Sequence, residues 1–491
     1  MKTKRHVLIL LIVALAMLSI VPALTVTAQD SLIESVCLVT DVGSITDGTF
    51  NQFAYEGAKK AADEFGLDFK YIETQPPANS EIYRANIQTC LNDKYNAIIT
   101  VGFSMAEATT TAAQENPDTY FLGVDQGSTG ETNYAGLLFR EDQSGFLAGA
   151  LAAQVSKSGT VAGVYGVEIP PVIKFRHGFE QGAKYINPDI KTLGVYIPSF
   201  NDPTAGGAAA NSAIGEGADV VFGAGGPTGT GGIKEAAQKG VMVIGVDQDE
   251  YATSFGGGKA PGADNLISSA VKRVDQAVYL AVKALVDGGG PDFVGGGNAI
   301  FSASNGGVSF APPHDAADKI SAEVTAKMDE ILAGLKDGTI VTGVDPVSGE
   351  MLPDLVTAAQ TAGNLTTLLK ALDAAGFSDL MATIPVGAGI TVFAPNDDAF
   401  AALQGDLDKM MADQTQLQTV LGYHVALGAH SASDLAGMES IDTFGGSPIT
   451  ITAGDDGITL NDSAKVVQAD ILFDHGVIHI IDTVLTPPAS S

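Results

Sequence analysis

Residues 35–52 read SVCLVTDVGSITDGTFNQ, and this stretch indicates the class of fold. Residues 35–40 form a short apolar run with the length of a buried strand, and a turn rich in Gly, Asp and Asn follows it. Apolar residues across 53–65 then recur at the spacing of a helix. Polar side chains in such a turn either line a cleft or cap the helix, with Asp47 or Thr49 as the cap, and both readings stay open.

The alternation of apolar runs and amphipathic helices continues to about residue 255. The first set of predicted strands is 35–40, 69–73, 97–101 and 120–124, with helices at 53–65, 80–92 and 105–116. The second set of strands is 160–165, 191–196, 220–224 and 242–246, with helices at 172–186, 204–216 and 230–239. Two such α/β sets in tandem predict two parallel-sheet lobes, with a ligand at the carboxyl ends of the strands. Two more helices are predicted at 266–286 and 315–335, around a glycine-rich, hairpin-like stretch.

Composition and charge narrow the function classes. The chain has 491 residues and a formal net charge of −31, which predicts a poor nucleic-acid binder, since contacts with phosphate need a basic face. Hydrophobic residues make up 45% and charged residues 17%, which is the composition of a chain that builds cores. Two cysteines exclude a disulfide-rich miniprotein and a Cys-rich metal centre. Cys37 and Cys90 either form a disulfide or remain two buried thiols.

The N-terminus has the pattern of a secretory signal peptide at residues 1–28. Lys2, Lys4 and Arg5 precede an apolar run that ends in small residues. A transmembrane anchor is the alternative, but the run is about 15 residues long and a spanning helix needs about 20. A lipid-anchoring cysteine does not follow the run. We therefore expect an exported protein, periplasmic or extracellular and associated with the cell envelope.

The predicted bilobed domain ends at residue 335, and the composition changes from residue 352. Residues 336–351 are rich in Gly, Asp, Pro and Ser and predict a linker. Between 352 and 488 helices come first and short alternating strands later, which is the order of an α+β domain. We expect a bilobed domain at 29–335 and a second domain at 352–488.

The turn at 41–52 and several later segments resemble the basic membrane protein family, which consists of exported substrate-binding proteins of ABC importers and includes purine nucleoside receptors. The later segments, in the family's order, are 123–125, 146–149, 172–179, 245–249 and 269–275. The resemblance spans about 35–335 and implies a type I periplasmic-binding-protein fold. It also implies a membrane permease and an ATPase as partners. The sequence departs from the family pattern at Thr46, where Asn is common, and at Gln248, where Ser is common.

The resemblance implies residues that contact the base of a nucleoside. Phe50 would stack on one face of the base, and Phe200 would face the base from the second lobe. Asp41 and Asn51 would make polar contacts near the same turn. The alternative for Phe50 is an aromatic side chain that packs its helix.

The resemblance also implies residues that contact the sugar. Asp125 and Asp247, each at the end of a predicted strand, would accept hydrogen bonds from the ribose hydroxyls. Lys272, on a predicted amphipathic helix, would complement these acids, and Gly226 would let the backbone approach the sugar. The alternatives are strand-end caps for the two acids and a surface charge for Lys272.

Enzyme and metal chemistry have little support in the sequence. Motifs of hydrolases, zinc proteases and phosphate-binding loops do not occur. His475 and His479 would be about 13 Å apart along one strand, too far to share a metal ion. We expect no cofactor, no metal and no catalytic residue. Two other functions remain open: a secreted adhesion or structural protein whose bilobed part is a scaffold, and a nucleoside hydrolase that uses Asp125 and Asp247.

Residues 352–488 resemble the fasciclin-like domain. The segments that carry this resemblance are 391–400, 423–424 and 476–487. It implies a module for adhesion or for attachment to a surface or matrix, with an unknown envelope or matrix partner. His424 and His479 are interpreted as hydrogen-bonded core residues.

Overall fold

The computed structural model of the chain describes residues 31–289, 294–377, 385–403, 405–454 and 456–488. The predicted signal peptide at 1–28 lies outside these residues. The described chain forms two parallel-sheet α/β lobes followed by a sheet-rich domain, so the predicted fold class is confirmed.

The first lobe is a six-stranded sheet in which each neighbouring pair of strands is parallel. Its strands are β1 (Ser35–Thr40), β2 (Asp68–Ile72), β3 (Ala97–Val101), β4 (Tyr120–Val124), β5 (Tyr134–Phe139) and β11 (Asn298–Phe301). Its helices are α1 (Phe50–Phe65), α2 (Ser80–Asn92), α3 (Ala106–Glu115) and α8 (Val274–Val286). α1 and α8 pack on one face of the sheet and α2 and α3 on the other, because alternate residues of each strand enter two separate apolar cores.

The second lobe repeats this arrangement. Its strands are β6 (Thr160–Tyr165), β7 (Lys191–Tyr196), β8 (Val220–Ala224), β9 (Met242–Asp247), β10 (Leu266–Lys272) and β12 (Val308–Phe310). Its helices are α4 (Glu141–Val155), α5 (Pro170–Ile186), α6 (Pro203–Gly215), α7 (Gly226–Gln238) and α9 (Ala322–Asp337). The strand orders, β11-β5-β4-β3-β1-β2 and β12-β10-β9-β8-β6-β7, correspond position by position. β12 is antiparallel to its neighbour β10.

The chain passes between the lobes near Arg140, near Arg273 and at residues 302–307. These connections lie side by side, since the Arg140 N–H donates to the Phe301 carbonyl at 2.9 Å and the Arg273 N–H donates to the Gly307 carbonyl at 2.9 Å. Adjacent crossings of this kind form a hinge about which two lobes can close on a ligand.

Two sequence predictions in this region are wrong. The first part of the helix predicted at 266–286 is strand β10, so Lys272 ends a strand and does not lie on a helix. All residues of β10 are buried, and an apolar run that is buried on both faces carries no periodicity to separate strand from helix. The glycine-rich stretch is not a hairpin, because β11 joins the sheet of the first lobe and β12 that of the second.

Glycines allow α4 and α5 to pack closely in the second lobe. A Cβ atom on Gly149 would lie 1.9 Å from the Phe179 carbonyl oxygen, and one on Gly182 would lie 1.9 Å from the Phe146 carbonyl oxygen. Real Cβ atoms do not approach so closely, so the backbones of the two helices touch only because these residues lack side chains.

Cys37 on β1 and Cys90 on α2 form a disulfide, with their Cα atoms 6.0 Å apart. Both residues are buried in the first lobe. Of the two states that the sequence left open, the structure has the bridge rather than two free thiols.

The segment predicted as a linker, 336–351, packs against the second lobe. Ile340 joins the apolar core of that lobe, and the Thr342 hydroxyl donates to Asp142 Oδ2 at 2.6 Å. The Gly349 carbonyl oxygen lies 2.7 Å from His177 Nδ1 on α5. The segment therefore connects the domains as an ordered, partly buried strap, a property that its Gly- and Asp-rich composition conceals.

The C-terminal domain combines short helices with a seven-stranded sheet of order β14-β13-β19-β18-β17-β16-β15. The strands are β13 (Ile390–Pro395), β14 (Val425–Leu427), β15 (Ser440–Ile441), β16 (Ile449–Gly454), β17 (Gly457–Leu460), β18 (Ala464–Phe473) and β19 (Gly476–Ile481). The helices are α10 (Leu355–Ala362), α11 (Thr366–Ala375), α12 (Asp397–Ala401), α13 (Gly405–Ala412), α14 (Gln414–Tyr423) and α15 (Ala432–Ala436). His424 and His479 are buried and hydrogen-bonded, as interpreted: the Leu485 N–H donates to His424 Nε2, and His479 Nε2 pairs with the His430 carbonyl.

Candidate functional site

The eight residues singled out from the sequence line one cavity between the two lobes. They are Asp41, Phe50, Asn51, Asp125, Phe200, Gly226, Asp247 and Lys272. Both lobes contribute side chains to the lining of this cavity. Because the carboxyl ends of both sheets face this cavity, it has the location that α/β sheets give to a ligand.

The turn between β1 and α1 forms the part of the cavity contributed by the first lobe. Asp47 Oδ1 accepts the Thr49 N–H at 2.8 Å and the Gln52 N–H at 3.1 Å, and the second bond caps the first turn of the helix. Asp47 Oδ2 accepts both the backbone N–H and the side-chain amide of Asn51 at 3.1 Å. The Asn51 amide is therefore held in one orientation, and its buried Oδ1 has no hydrogen-bond partner among the described residues. The two readings of this turn are both true, since it caps the helix and lines the cleft.

Asp41 follows β1 directly and is buried beside Gly102. A Cβ atom at Gly102 would lie 2.2 Å from Asp41 Oδ2, so only glycine leaves room for this carboxylate. Gly226 in the second lobe has φ +59, and a Cβ there would lie 3.2 Å from the Phe200 carbonyl oxygen. Both glycines bring backbone close to the cavity.

Asp125 and Asp247 occupy equivalent positions in the two lobes. Each is the third residue of the tetrapeptide Gly-Val-Asp-Gln, and each follows or ends the corresponding strand, β4 or β9. Both have left-handed backbones, with φ 60 and φ 66, which costs a non-glycine residue about 1 kcal/mol or more. Two matched outliers at one cleft indicate a functional reason for the strain. Asp125 Oδ1 is buried without a hydrogen-bond partner in the described structure.

Lys272 lies at the end of β10 and is only 2% exposed, so it is not a surface charge. Its Nζ is 2.7 Å from Asp125 Oδ2 and 2.8 Å from Glu141 Oε1. The ammonium also lies 4.9 Å from the centre of the Phe50 ring. Lys272 therefore contacts both Asp125 and the ring of Phe50, two residues of the first lobe that line the cavity.

Sequence reasoning missed the groups that hold Lys272. Glu141, at the start of α4, receives Lys272 on one oxygen and Lys174 Nζ on the other, at 2.5 Å. Lys174 also donates to the Phe139 carbonyl at 2.9 Å, so a helix of the second lobe is tied to a strand of the first. The one available signal was a single lysine within the apolar stretch of α5, which by itself does not indicate a buried ion pair.

Burial controls the ionisation of the acids. Burial raises the pKa of Asp247 to about 8 and that of Asp41 to about 7, and in both cases the nearby Asp125 charge adds to the effect. Burial also raises the pKa of Asp125 to about 6, although Lys272 opposes the shift. Burial lowers the pKa of Lys272, but the acids outweigh it and raise that pKa, so Lys272 stays a cation.

The cavity combines apolar walls with acids that can accept hydrogen bonds. The apolar lining consists of Val42, Phe50 and Phe103 from the first lobe and Ile169, Pro171, Val172, Phe175, Phe200 and Pro227 from the second. Acidic side chains outnumber Lys272 in the lining, which disfavours anionic ligands. The arrangement fits an uncharged molecule that has a flat apolar part and hydroxyl donors.

A pair of linked α/β lobes with a polar and aromatic cavity between them defines the class of extracytoplasmic solute-binding proteins. Residues 34–336 match the family model described as "ABC transporter substrate-binding protein PnrA-like". The chain belongs to this family. Residues 363–487 match the model of the fasciclin domain.

Curated relatives and a solved structure agree with this assignment. The "ABC transporter nucleoside-binding protein BmpA" of Lactococcus lactis is 30% identical over 308 residues, which is 60% of this chain and 86% of the relative. The "CD4+ T-cell-stimulating antigen" of Listeria monocytogenes is 31% identical over 324 residues, 62% of this chain and 87% of the relative. An ABC transporter solute-binding protein of Aeropyrum pernix superposes with a TM-score of 0.55 at 27% identity, covering 63% of this chain and 94% of that one.

The family assignment establishes the coarse function. The chain is a substrate-binding protein of the ABC transport class, whose members bind small molecules and work with a permease and an ATPase. Along the described part of the chain, we find no helix with the length and apolar character needed to span a membrane.

Proposed function

We propose that this protein captures a purine nucleoside between its lobes and delivers it to an ABC importer. The observation that carries the proposal is the matched pair Asp125 and Asp247, held in left-handed backbone conformations at one cavity that also contains Phe50. A vicinal diol offers two donors, which suits carboxylates that can only accept, and an aromatic face suits a base. The nucleoside-binding relative in Lactococcus lactis supports the same choice.

In this proposal each lobe supplies contacts to both parts of the ligand. Phe50 and Phe200 face the base, and Asp41 and Asn51 make polar contacts with it. Asp125, Asp247 and Lys272 bind the ribose, and Gly226 lets the backbone approach it. Because contacts come from both lobes, the ligand favours the closed arrangement and shifts an existing equilibrium toward it.

A panel of nucleosides tests the assignment of the acids to the sugar. Loss of the ribose hydroxyls leaves buried carboxylates without donors, whereas stacking differs little from one base to another. We expect ribonucleosides to bind at least about tenfold more tightly than their 2′,3′-dideoxy analogues, or about 1.4 kcal/mol. Isothermal titration calorimetry measures the difference, and equal affinities would refute the sugar assignment. Mass spectrometry of small molecules released from the heat-denatured protein identifies the natural ligand independently.

We further propose that the protein is exported, with residues 1–28 as a cleaved signal peptide and the fasciclin domain attaching it to an envelope or matrix component. Support comes from the presence of this domain and from its exposed apolar side chains, among them Leu427 at 59% and Phe444 at 63%. Cell fractionation of the full chain and of a chain that lacks 353–491 tests the attachment. Equal release of both into the medium would contradict the role of the fasciclin domain.

A further inference from the structure

The loop after β9 in the second lobe contacts the turn before α1 in the first lobe. Gln248 Nε2 donates to the Thr49 carbonyl oxygen at 3.0 Å, and the Thr253 hydroxyl donates to the Gly48 carbonyl oxygen at 2.8 Å. A Cβ atom on Gly48 would lie 2.8 Å from Ser254 Oγ, so the two surfaces are in direct contact. These bonds join residues that are about 200 positions apart and belong to different lobes.

The repeated tetrapeptide Gly-Val-Asp-Gln provides an internal comparison. In the first lobe, Gln126 Nε2 donates to the carbonyls of Thr100 and Gly102 at 3.1 and 2.9 Å, so its amide stays within its own lobe. Gln248 is also buried, at 6% exposed, but its amide donates across the cleft. A buried donor without an acceptor is unfavourable, and Gln248 keeps this acceptor only while the lobes are together.

Both ends of the contact are held firmly by their own lobes. Behind the loop, Glu250 accepts the Val246 N–H at 3.1 Å and the Thr230 hydroxyl at 2.9 Å. On the opposite side, Asp47 accepts the Thr49 N–H at 2.8 Å. Since neither loop is free to follow the other, opening of the lobes would break the bonds rather than stretch a flexible segment.

We propose that Gln248 and Thr253 form an interlobe latch that holds the cleft closed and positions the turn bearing Phe50 and Asn51. Neither latch residue lines the cavity, so both act through the turn as positioning residues. The latch favours the closed state whether or not a ligand is present, and with a ligand it slows release. The effect on ligand release rests on the proposed function, whereas the effect on closure does not.

The test uses the full chain with two substitutions that keep shape and remove a donor, Gln248→Met and Thr253→Val. The control is Thr89→Val, since the Thr89 hydroxyl donates to the Ala85 carbonyl within its own helix, at 3.0 Å. Without ligand, we expect faster amide hydrogen exchange across 47–53 and 247–254 in the double variant and a larger radius of gyration by small-angle X-ray scattering. We expect adenosine to bind the double variant about tenfold more weakly, through faster dissociation.

Wild-type exchange and scattering in the double variant would overturn the latch. If Gln248→Met disturbs folding, Thr253→Val alone must show the same local increase in exchange. If the wild-type chain does not bind adenosine while the exchange difference is present, the latch stands and the nucleoside proposal fails. The two proposals are thus separable.

Discussion

Proton release on ligand binding gives a sharp test of the role assigned to Asp247. Burial raises the pKa of this carboxyl to about 8, so at about pH 7 most of the ligand-free protein carries it protonated. Ribose hydroxyls that donate to Asp247 favour the ionised form, because a carboxylate accepts on both oxygens and a protonated acid has one of them occupied by its own hydrogen. Binding should therefore release a proton, and affinity should fall as the pH falls below about 8.

The expected loss of affinity at low pH follows from the pKa of Asp247. For one group with a pKa of about 8, lowering the pH from about 8 to about 6 reduces the ionised fraction about 50-fold, and each further pH unit costs about 1.4 kcal/mol. Adenosine is the appropriate titrant because it carries no group that ionises in this range. Titration calorimetry at several pH values, in buffers of different ionisation enthalpy, gives both the affinity and the number of protons released.

Asp247→Asn is the matched variant. It removes the titrating group while keeping the size of the side chain. The affinity of this variant should therefore depend less steeply on pH, and the remaining dependence should come from Asp41, whose pKa is about 7. A wild-type affinity that does not change between about pH 6 and about pH 8 would show that Asp247 does not bind the ligand as a carboxylate. A variant with the pH profile of the wild type would lead to the same conclusion.

Three further predictions concern stability. Lys272→Met should destabilise the protein by about 3–5 kcal/mol in thermal denaturation, because it leaves buried carboxylates without their cation. Adding Asp125→Asn to this variant should restore part of the lost stability. Gly149→Ala should lower the free energy of unfolding by at least about 1–3 kcal/mol, because its Cβ would lie 1.9 Å from a carbonyl oxygen of the facing helix. Gly215→Ala is the control: its Cβ would meet open space, so we expect no change in the same assay. Burial lowers the pKa of His424 to about 4, so the unfolded chain takes up the proton first, and the fasciclin domain should lose stability as the pH falls from about 6.5 towards 4. An unshifted calorimetric transition of that domain over this range would contradict the last prediction.

The sequence predicts elements well where apolar runs alternate with amphipathic helices. Strand β1 and helix α2 occupy the predicted residues. The sequence does not predict helix α4, because this helix is buried on nearly all sides. It therefore has no polar face, and its apolar residues do not recur with a helical period. The sequence predicts a helix where strand β10 lies for the related reason that both faces of this strand are buried.

The family resemblance predicts more of the candidate site than the residue patterns do. The residue pattern leaves strand-end caps open as an alternative for Asp125 and Asp247, and only the folded backbone shows their shared left-handed conformation. The ion pairs around Glu141 join residues that are distant in sequence, and a single chain gives no signal for such pairs. The composition of residues 336–351 does not predict that this strap is ordered. Its hydrogen bonds to Asp142 and His177 do not depend on an apolar pattern in the sequence.

The strap at 336–351 links the fasciclin domain to one lobe of the binding domain. It fastens the fasciclin domain to α4 and α5 through the Thr342–Asp142 and Gly349–His177 contacts, and both helices belong to the second lobe. The fasciclin domain and the second lobe should therefore travel together as one body. If the fasciclin domain is anchored to the envelope, the first lobe is the part that moves when the cleft opens and closes. Asp41, Phe50 and Asp125 then move with it, while the residues of the second lobe that line the cavity keep their position relative to the cell.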